Sequence, residues 1–189
     1  MATHYAWEEL YAALPTCSLC GLAGARTHVV PGEGDPQARV MFVGEGPGRE
    51  EDRTGRPFVG PAGQLLDKML AAIGLKREEV YIANVVKCRP PGNRVPADHE
   101  AAACLPYLRA QFALVRPQII VCLGATAAKN LYDPNVRITR DRGVWQNKKG
   151  VWMLPTYHPA ALLRDEGKKK EAWEDMKKLR DKLGELGGT

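Results

Sequence analysis

Four short apolar runs punctuate this chain, and the stretches between them follow a different period. Residues 40–43, 80–86, 117–123 and 151–154 are each long enough for one strand and too short for a buried helix. Gly44, Gly124 and Pro155 close three of them. Between the runs, Leu65, Leu66, Met69, Leu70 and Ile73 fall at helical spacing within residues 63–73. Pro96, Ala97 and Asp98 open a helix predicted to run to about residue 114, residues 125–131 form another, and residues 171–186 form a charged amphipathic one. Residues 2–14 read as a short amphipathic helix ended by Pro15, and Gly187, Gly188 and Thr189 as a fraying tail. Strands that are apolar throughout are buried on both faces, so helices must cover both sides of the sheet. The predicted fold is therefore α/β: a three-layer sandwich with a central, mainly parallel four-stranded sheet flanked by helices. At 189 residues, one domain over 1–189 is expected, large enough to bury a core without cross-links.

Composition matters mainly for the cysteines. Residues 1–10 lack a cationic segment followed by an apolar run, and no run approaches the length of a membrane span. No membrane association and a cytoplasmic location are expected, where thiols stay reduced. The 5 cysteines are then core fillers, metal ligands or reactive groups. Cys17 and Cys20 form a C-x-x-C pair, which turns two sulfurs toward one site. Cys88 follows the second strand and Cys104 lies in the next helix. Four thiolates suit zinc or an iron–sulfur cluster, and the long gap after Cys20 is unlike a compact zinc ribbon. The bland alternative is two small core residues and a redox pair. Cys122 lies inside an apolar strand and reads as core. The formal charge of +5 fits an anionic partner, although Lys168, Lys169 and Lys170 also suit a solvated helix start.

Ligands of a parallel sheet bind beyond the carboxyl ends of its strands. Three loops leave those ends, at residues 44–63, 87–96 and 155–164. The first begins Gly44-Glu45-Gly46-Pro47-Gly48, where glycines let backbone N–H groups approach a ligand; it is neither a Walker loop nor a dinucleotide fingerprint. It continues through Glu50, Glu51 and Asp52 to Phe58, a ring suited to stacking on a flat ligand or to anchoring the loop. Asn84 stands in an apolar strand, where its amide needs a partner and can match a base edge. Asn93 lies in a turn-rich stretch. His158 starts His158-Pro159-Ala160-Ala161-Leu162-Leu163-Arg164, whose leucines beside a basic residue suit insertion into a base stack.

Together these segments resemble the family 4 uracil-DNA glycosylases of bacteria and archaea. The resemblance rests on Gly44-Glu45-Gly46-Pro47-Gly48 with Glu51 and Asp52, on residues 54–60 (TGRPFVG), on residues 84–91 (NVVKCRPP), on residues 158–164 (HPAALLR) and on the cysteine set. It implies hydrolysis of the N-glycosidic bond of uracil in DNA, releasing uracil and leaving an abasic site. It also implies a 4Fe–4S cluster held by Cys17, Cys20, Cys88 and Cys104, with zinc as the alternative metal. The implied partner is uracil-containing DNA, single- or double-stranded, met by a monomer.

By that resemblance Phe58 stacks on the flipped uracil, Asn84 reads N3–H and O4, a backbone N–H near Gly46 holds a carbonyl oxygen, and Asn93 lies in the base-binding set. His158 donates to O2 as negative charge develops. Leu162 fills the gap left by the base, with Leu163 as the alternative wedge, and Arg164 holds phosphate. Where family 1 enzymes carry a water-positioning Asp and a thymine-excluding Tyr, this chain has Gly46 and Gly48. Glu45 or Glu51 is left to orient water, with Glu51 preferred or else acting as the steric filter. Residues 89–96 lack the basic, histidine-ending insertion of a sister group that becomes covalently attached to DNA, so turnover is expected. The competing reading is a non-catalytic iron–sulfur or zinc DNA-binding module, in which Phe58, Asn84 and His158 are structural.

Overall fold

The computed structural model describes residues 6–187. Residues 2–5 of the expected opening helix and residues 188–189 of the expected fraying tail lie outside the described residues. The helices are α1 (Trp7–Thr16), α2 (Arg49–Thr54), α3 (Pro61–Ala72), α4 (Asp98–Val115), α5 (Ala125–Leu131), α6 (Ile138–Asp141), α7 (Pro159–Arg164) and α8 (Lys169–Gly187). The strands are β1 (Glu33–Gly34), β2 (Val40–Gly44), β3 (Tyr81–Asn84), β4 (Ile119–Leu123), β5 (Gln146–Lys148) and β6 (Val151–Thr156).

The sheet has six strands in the order β1-β3-β2-β4-β6-β5, two more than the four expected. The four apolar runs are its parallel centre, and the extra strands pair antiparallel at the edges. Neither edge strand carries an apolar run: β1 has two residues and β5 is Gln-Asn-Lys. Pro15 lies inside the last turn of α1, one residue short of its end, so the helix outlasts the proline.

Alternate residues of the central strands point to opposite faces. Met41, Val43, Tyr81, Ala83, Ile120, Cys122 and Met153 join one buried cluster with Leu10 and Leu14 of α1 and Leu108 of α4. Phe42, Ile82, Val121 and Leu154 join a second with Leu66 and Leu70 of α3 and Met176 and Leu179 of α8. The result is the expected three layers. In α8 the buried residues Ala172, Asp175, Met176 and Leu179 recur at helical spacing. Asp175 is fully buried and ties α8 to β6: Thr156 Oγ1 donates to its Oδ2 at 2.7 Å and Arg142 Nη1 to its Oδ1 at 2.7 Å. Burial pushes this carboxyl up, against the pull of those two donors. Thr156 ends β6 two residues before His158, so this buried contact fixes the stem of the histidine loop.

The strand order makes β2 and β4 neighbours from which the chain departs to opposite sides. A crevice opens at such a switch point, beyond Gly44 and Leu123. Among the described residues no helix is long and apolar enough to cross a membrane.

Candidate active site and cysteine site

A cavity of about 670 Å³ occupies that crevice. Its lining includes Glu45, Gly46, Glu51, Phe58, Asn84, Asn93, His158, Leu163 and Arg164. Segments more than a hundred residues apart in the chain thus face one space, all from the carboxyl end of the sheet.

Two glycines make room for Phe58. A Cβ on Gly44 would lie 2.5 Å from the Phe58 ring and 2.6 Å from Asn84 Oδ1, and one on Gly63 would lie 1.8 Å from the Phe58 carbonyl oxygen. Phe58 itself has a positive φ of 49°, an uncommon conformation for a bulky residue. Arg77 holds it there, donating from Nη1 to the Phe58 carbonyl at 2.8 Å and from Nη2 to the Pro57 carbonyl. The ring is buried, and its centroid lies 5.4 Å from that of His158 at 28° between planes. It therefore both anchors its loop and forms part of the cavity wall.

Asn84 is 2% exposed, and its Oδ1 is a buried acceptor with no hydrogen-bond partner. An unmet buried acceptor is costly, so one that faces a cavity points to a donor brought by a ligand. His158 is the N-cap of α7, and its Nδ1 accepts from the Ala160 N–H at 3.0 Å. That bond places the ring proton on Nε2, leaving a neutral donor. Burial, helped by the nearby Arg164 charge, lowers the His158 pKa to about 4, so the ring is uncharged at neutral pH.

The carboxylates divide in a way the sequence reading did not foresee. The stretch read as loop folds into α2, and Glu51 is buried beneath it. Its Oε2 accepts from the Gly48 N–H at 3.1 Å, and its Oε1 from the Val59 and Gly60 N–H groups at 2.9 Å each. Both oxygens brace the glycine loop against the Phe58 loop. Asp52 does similar work, its Oδ1 accepting from the Thr27 N–H at 2.8 Å. Glu45 instead receives a hydrogen bond from Thr126 Oγ1, at the start of α5. Gly46 is pressed against β3's continuation: a Cβ there would lie 2.7 Å from Val86 Cγ2. Asn93 has a positive φ of 58°, and its Oδ1 accepts from Arg89 Nε at 2.7 Å.

The expectation of Leu162 as an exposed wedge is corrected. The segment read as loop forms α7, and Leu162 turns inward, 1% exposed, packing with Tyr157 and Ala172. Leu163, the next residue along, is 48% exposed and lines the cavity mouth with Arg164. The sequence reading also passed over the β4–α5 turn, which supplies Gly124 and Ala125 to the same crevice; Gly124 closing an apolar strand was the available signal.

On the opposite side of β3, Cys17, Cys20, Cys88 and Cys104 line a second, small cavity with Arg26, Lys87 and Tyr107. All five cysteines are free thiols, and Cys122 is buried in β4 away from this cavity. Arg26 Nη1 donates to Cys88 Sγ at 3.3 Å, and the Lys87 backbone N–H donates to Cys104 Sγ at 3.3 Å. Among the described residues no group of three or more His, Cys, Asp or Glu side chains is gathered closely enough to hold a metal ion. Lys87 is itself buried, its Nζ donating to the Asn84 carbonyl at 3.0 Å and to Gln111 Oε1 at 2.6 Å, so one lysine abuts both sites.

An α/β sheet with a crevice at its switch point, lined by a buried ring, an unpaired amide acceptor and a neutral imidazole, has the makings of a base-excising enzyme. Residues 31–177 match the family model described as the uracil DNA glycosylase superfamily. A curated "Type-4 uracil-DNA glycosylase" from Sulfurisphaera tokodaii is 47% identical over 183 residues, covering 92% of this chain and 83% of that protein. Another from Thermotoga maritima is 48% identical over 177 residues, covering 90% of this chain and 91% of that protein. A "Type-5 uracil-DNA glycosylase" from Pyrobaculum aerophilum is 37% identical over 150 residues, covering 70% of this chain and 66% of that protein. The chain belongs to the uracil-DNA glycosylase superfamily and, within it, to the type-4 enzymes.

Proposed function

We propose that this chain, as a single-domain monomer in the cytoplasm, hydrolyses the N-glycosidic bond of uracil in DNA, in duplex or single strands, to start base excision repair. The unpartnered Asn84 Oδ1 carries the reading, because an acceptor at that point suits the N3–H of uracil. Cytosine offers an unprotonated N3 there, so two acceptors would meet and the wrong base is rejected by an unmade hydrogen bond.

The target base flips into the cavity. Phe58 covers one face of it, and the Gly46 backbone N–H holds a carbonyl oxygen. His158 donates from Nε2 to O2. As the bond to the sugar lengthens, negative charge accumulates on the uracil, and this donor strengthens when it is needed. The Nε2–H of a neutral imidazole is too weak an acid to be given up at working pH, so the ring serves as a fixed hydrogen-bond dipole. Losing one such donor costs about 100- to 1,000-fold in rate. Glu45 orients the attacking water and faces the positive charge developing on the sugar. Glu51 is set aside for this role, since backbone N–H groups already engage both of its oxygens. Leu163 enters the stack in place of the base and Arg164 meets phosphate, while Asn93 and Arg89 shape the cavity rim. Residues 89–96 carry no histidine, which supports turnover over a covalent DNA adduct.

Cys17, Cys20, Cys88 and Cys104 would hold a 4Fe–4S cluster. Four cysteines lining one cavity, two of them with N–H···S donors, suit the all-thiolate ligand set of such a cluster. When bound, the cluster would supply a cross-link between the segment after α1 and the end of β3. The deciding experiment is incubation with a uracil-containing oligonucleotide followed by alkali. Strand breakage at uracil is expected, and intact DNA would leave the chain a DNA-binding module. Protein purified without oxygen should show the visible absorption of an iron–sulfur cluster; a colourless preparation containing zinc would replace the cluster assignment.

A further inference from the structure

The β4–α5 turn has no role in the mechanism so far, yet it touches two of its groups. The parallel register pairs Val43 of β2 with Cys122 of β4, which brings Glu45 level with Gly124 just past the strand ends. Gly124 has φ +90°, and a Cβ there would lie 3.0 Å from His158 Cβ, so the turn backs directly onto the histidine. Two residues on, Thr126 is buried in the first turn of α5, and its Oγ1 donates to Glu45 Oε2. Its backbone lies within the helix, and its carbonyl accepts from the Asn130 side-chain Nδ2 at 2.8 Å. Among the described residues Glu45 takes part in no ion pair, so this hydroxyl is its polar restraint on the β4 side.

We propose that Thr126 is a positioning residue for the excision reaction, holding the Glu45 carboxylate so that its second oxygen faces the attacking water. This rests on the reading of Glu45 as the water-orienting group. A glutamate side chain has three rotatable bonds, and a water must be placed in line with a bond that is breaking. Tying Oε2 to a helix-borne hydroxyl removes most of that freedom and leaves Oε1 as the free acceptor. The placement is economical in the fold. Gly44 ends β2 and Gly124 follows β4; the chain after the first presents the carboxylate, and the chain after the second presents the hydroxyl that steers it.

The test is a double-mutant cycle on single-turnover release of uracil from a single-stranded oligonucleotide, with DNA affinity measured alongside. Thr126→Val should slow release about 10- to 100-fold with DNA affinity unchanged, and Thr126→Ser should recover to within about threefold of the parent. Glu45→Gln should be slow, and adding Thr126→Val to it should cost no more than a further twofold or so, because the threonine acts through the carboxylate. Thr126→Ala serves the same purpose should the valine variant fold poorly, as judged by thermal melting. A parent-like rate in Thr126→Val or Thr126→Ala, or full additivity with Glu45→Gln, would overturn this inference while leaving Glu45 in place. A parent-like rate in Glu45→Gln would overturn the role of Glu45 itself, and the positioning role with it.

Discussion

Gly44→Ala adds one methyl group against both Phe58 and Asn84, and its effect on excision should far exceed its effect on folding. Gly44 is the last residue of β2 and lies abreast of Asn84 in the parallel register. Its φ is not in the left-handed region, so alanine brings no backbone strain. The steric consequence is specific: the new Cβ falls 2.5 Å and 2.9 Å from two Phe58 ring carbons and 2.6 Å from Asn84 Oδ1. Ordinary contact requires 3.4 Å or more, so the ring and the amide must each withdraw by roughly 1 Å. Crowding of this kind costs about 1–3 kcal/mol of stability, which a domain of this size tolerates. A displacement of about 1 Å in the groups that hold the base, however, is worth on the order of 100-fold in rate. The assay is single-turnover uracil release from single-stranded DNA, which removes base flipping from the measurement, paired with a melting curve. Gly74→Ala is the control. Gly74 has φ +79° and open space around it, so that variant should lose about 1 kcal/mol and excise uracil at the parent rate. If Gly44→Ala excised uracil within about threefold of the parent, Phe58 and Asn84 would not be the groups that hold the base.

Three further outcomes follow from the site. Leu162→Ala should cost about 2–5 kcal/mol because that side chain is buried, whereas Leu163→Ala should melt like the parent and lose activity chiefly on duplex DNA; the reverse pattern would restore Leu162 as the wedge. His158 has a folded-state pKa of about 4, below its ordinary 6.5, so the unfolded chain takes up the proton first. Stability should therefore fall as pH drops from 6.5 toward 4, a slope absent in His158→Gln, and excision should have no inflection near 6.5. Glu51→Gln sets an amide against three backbone N–H groups and should cost about 1–3 kcal/mol while folded protein still excises uracil; a stable variant without chemistry would return Glu51 to the catalytic role.

What could be read from the sequence, and what could not, follows from how each signal is carried. The central strands were legible because burial on both faces leaves an unbroken apolar run, and the crevice followed because parallel sheets open at their carboxyl ends. The edge strands were not, since β1 and β5 are held by pairing with a neighbour rather than by burial of their own side chains. Residue types suited to the chemistry were also legible: Phe58, Asn84 and His158 line one cavity, and four of the five cysteines line another. Direction within an element was lost. Leu162 and Leu163 differ only in which side of α7 they face, and that is set by Tyr157 and Ala172, which nothing near residue 162 announces. The choice between Glu45 and Glu51 was lost for a related reason. A carboxylate's availability depends on what already donates to it, and the donors to Glu51 come from residues 48, 59 and 60, while the donor to Glu45 comes from residue 126. Nearness in sequence favoured Glu51 because it sits in the richest loop. That same richness in backbone N–H groups is what occupies it, which is why Glu45, with a single side-chain donor, is the carboxylate proposed to meet the water.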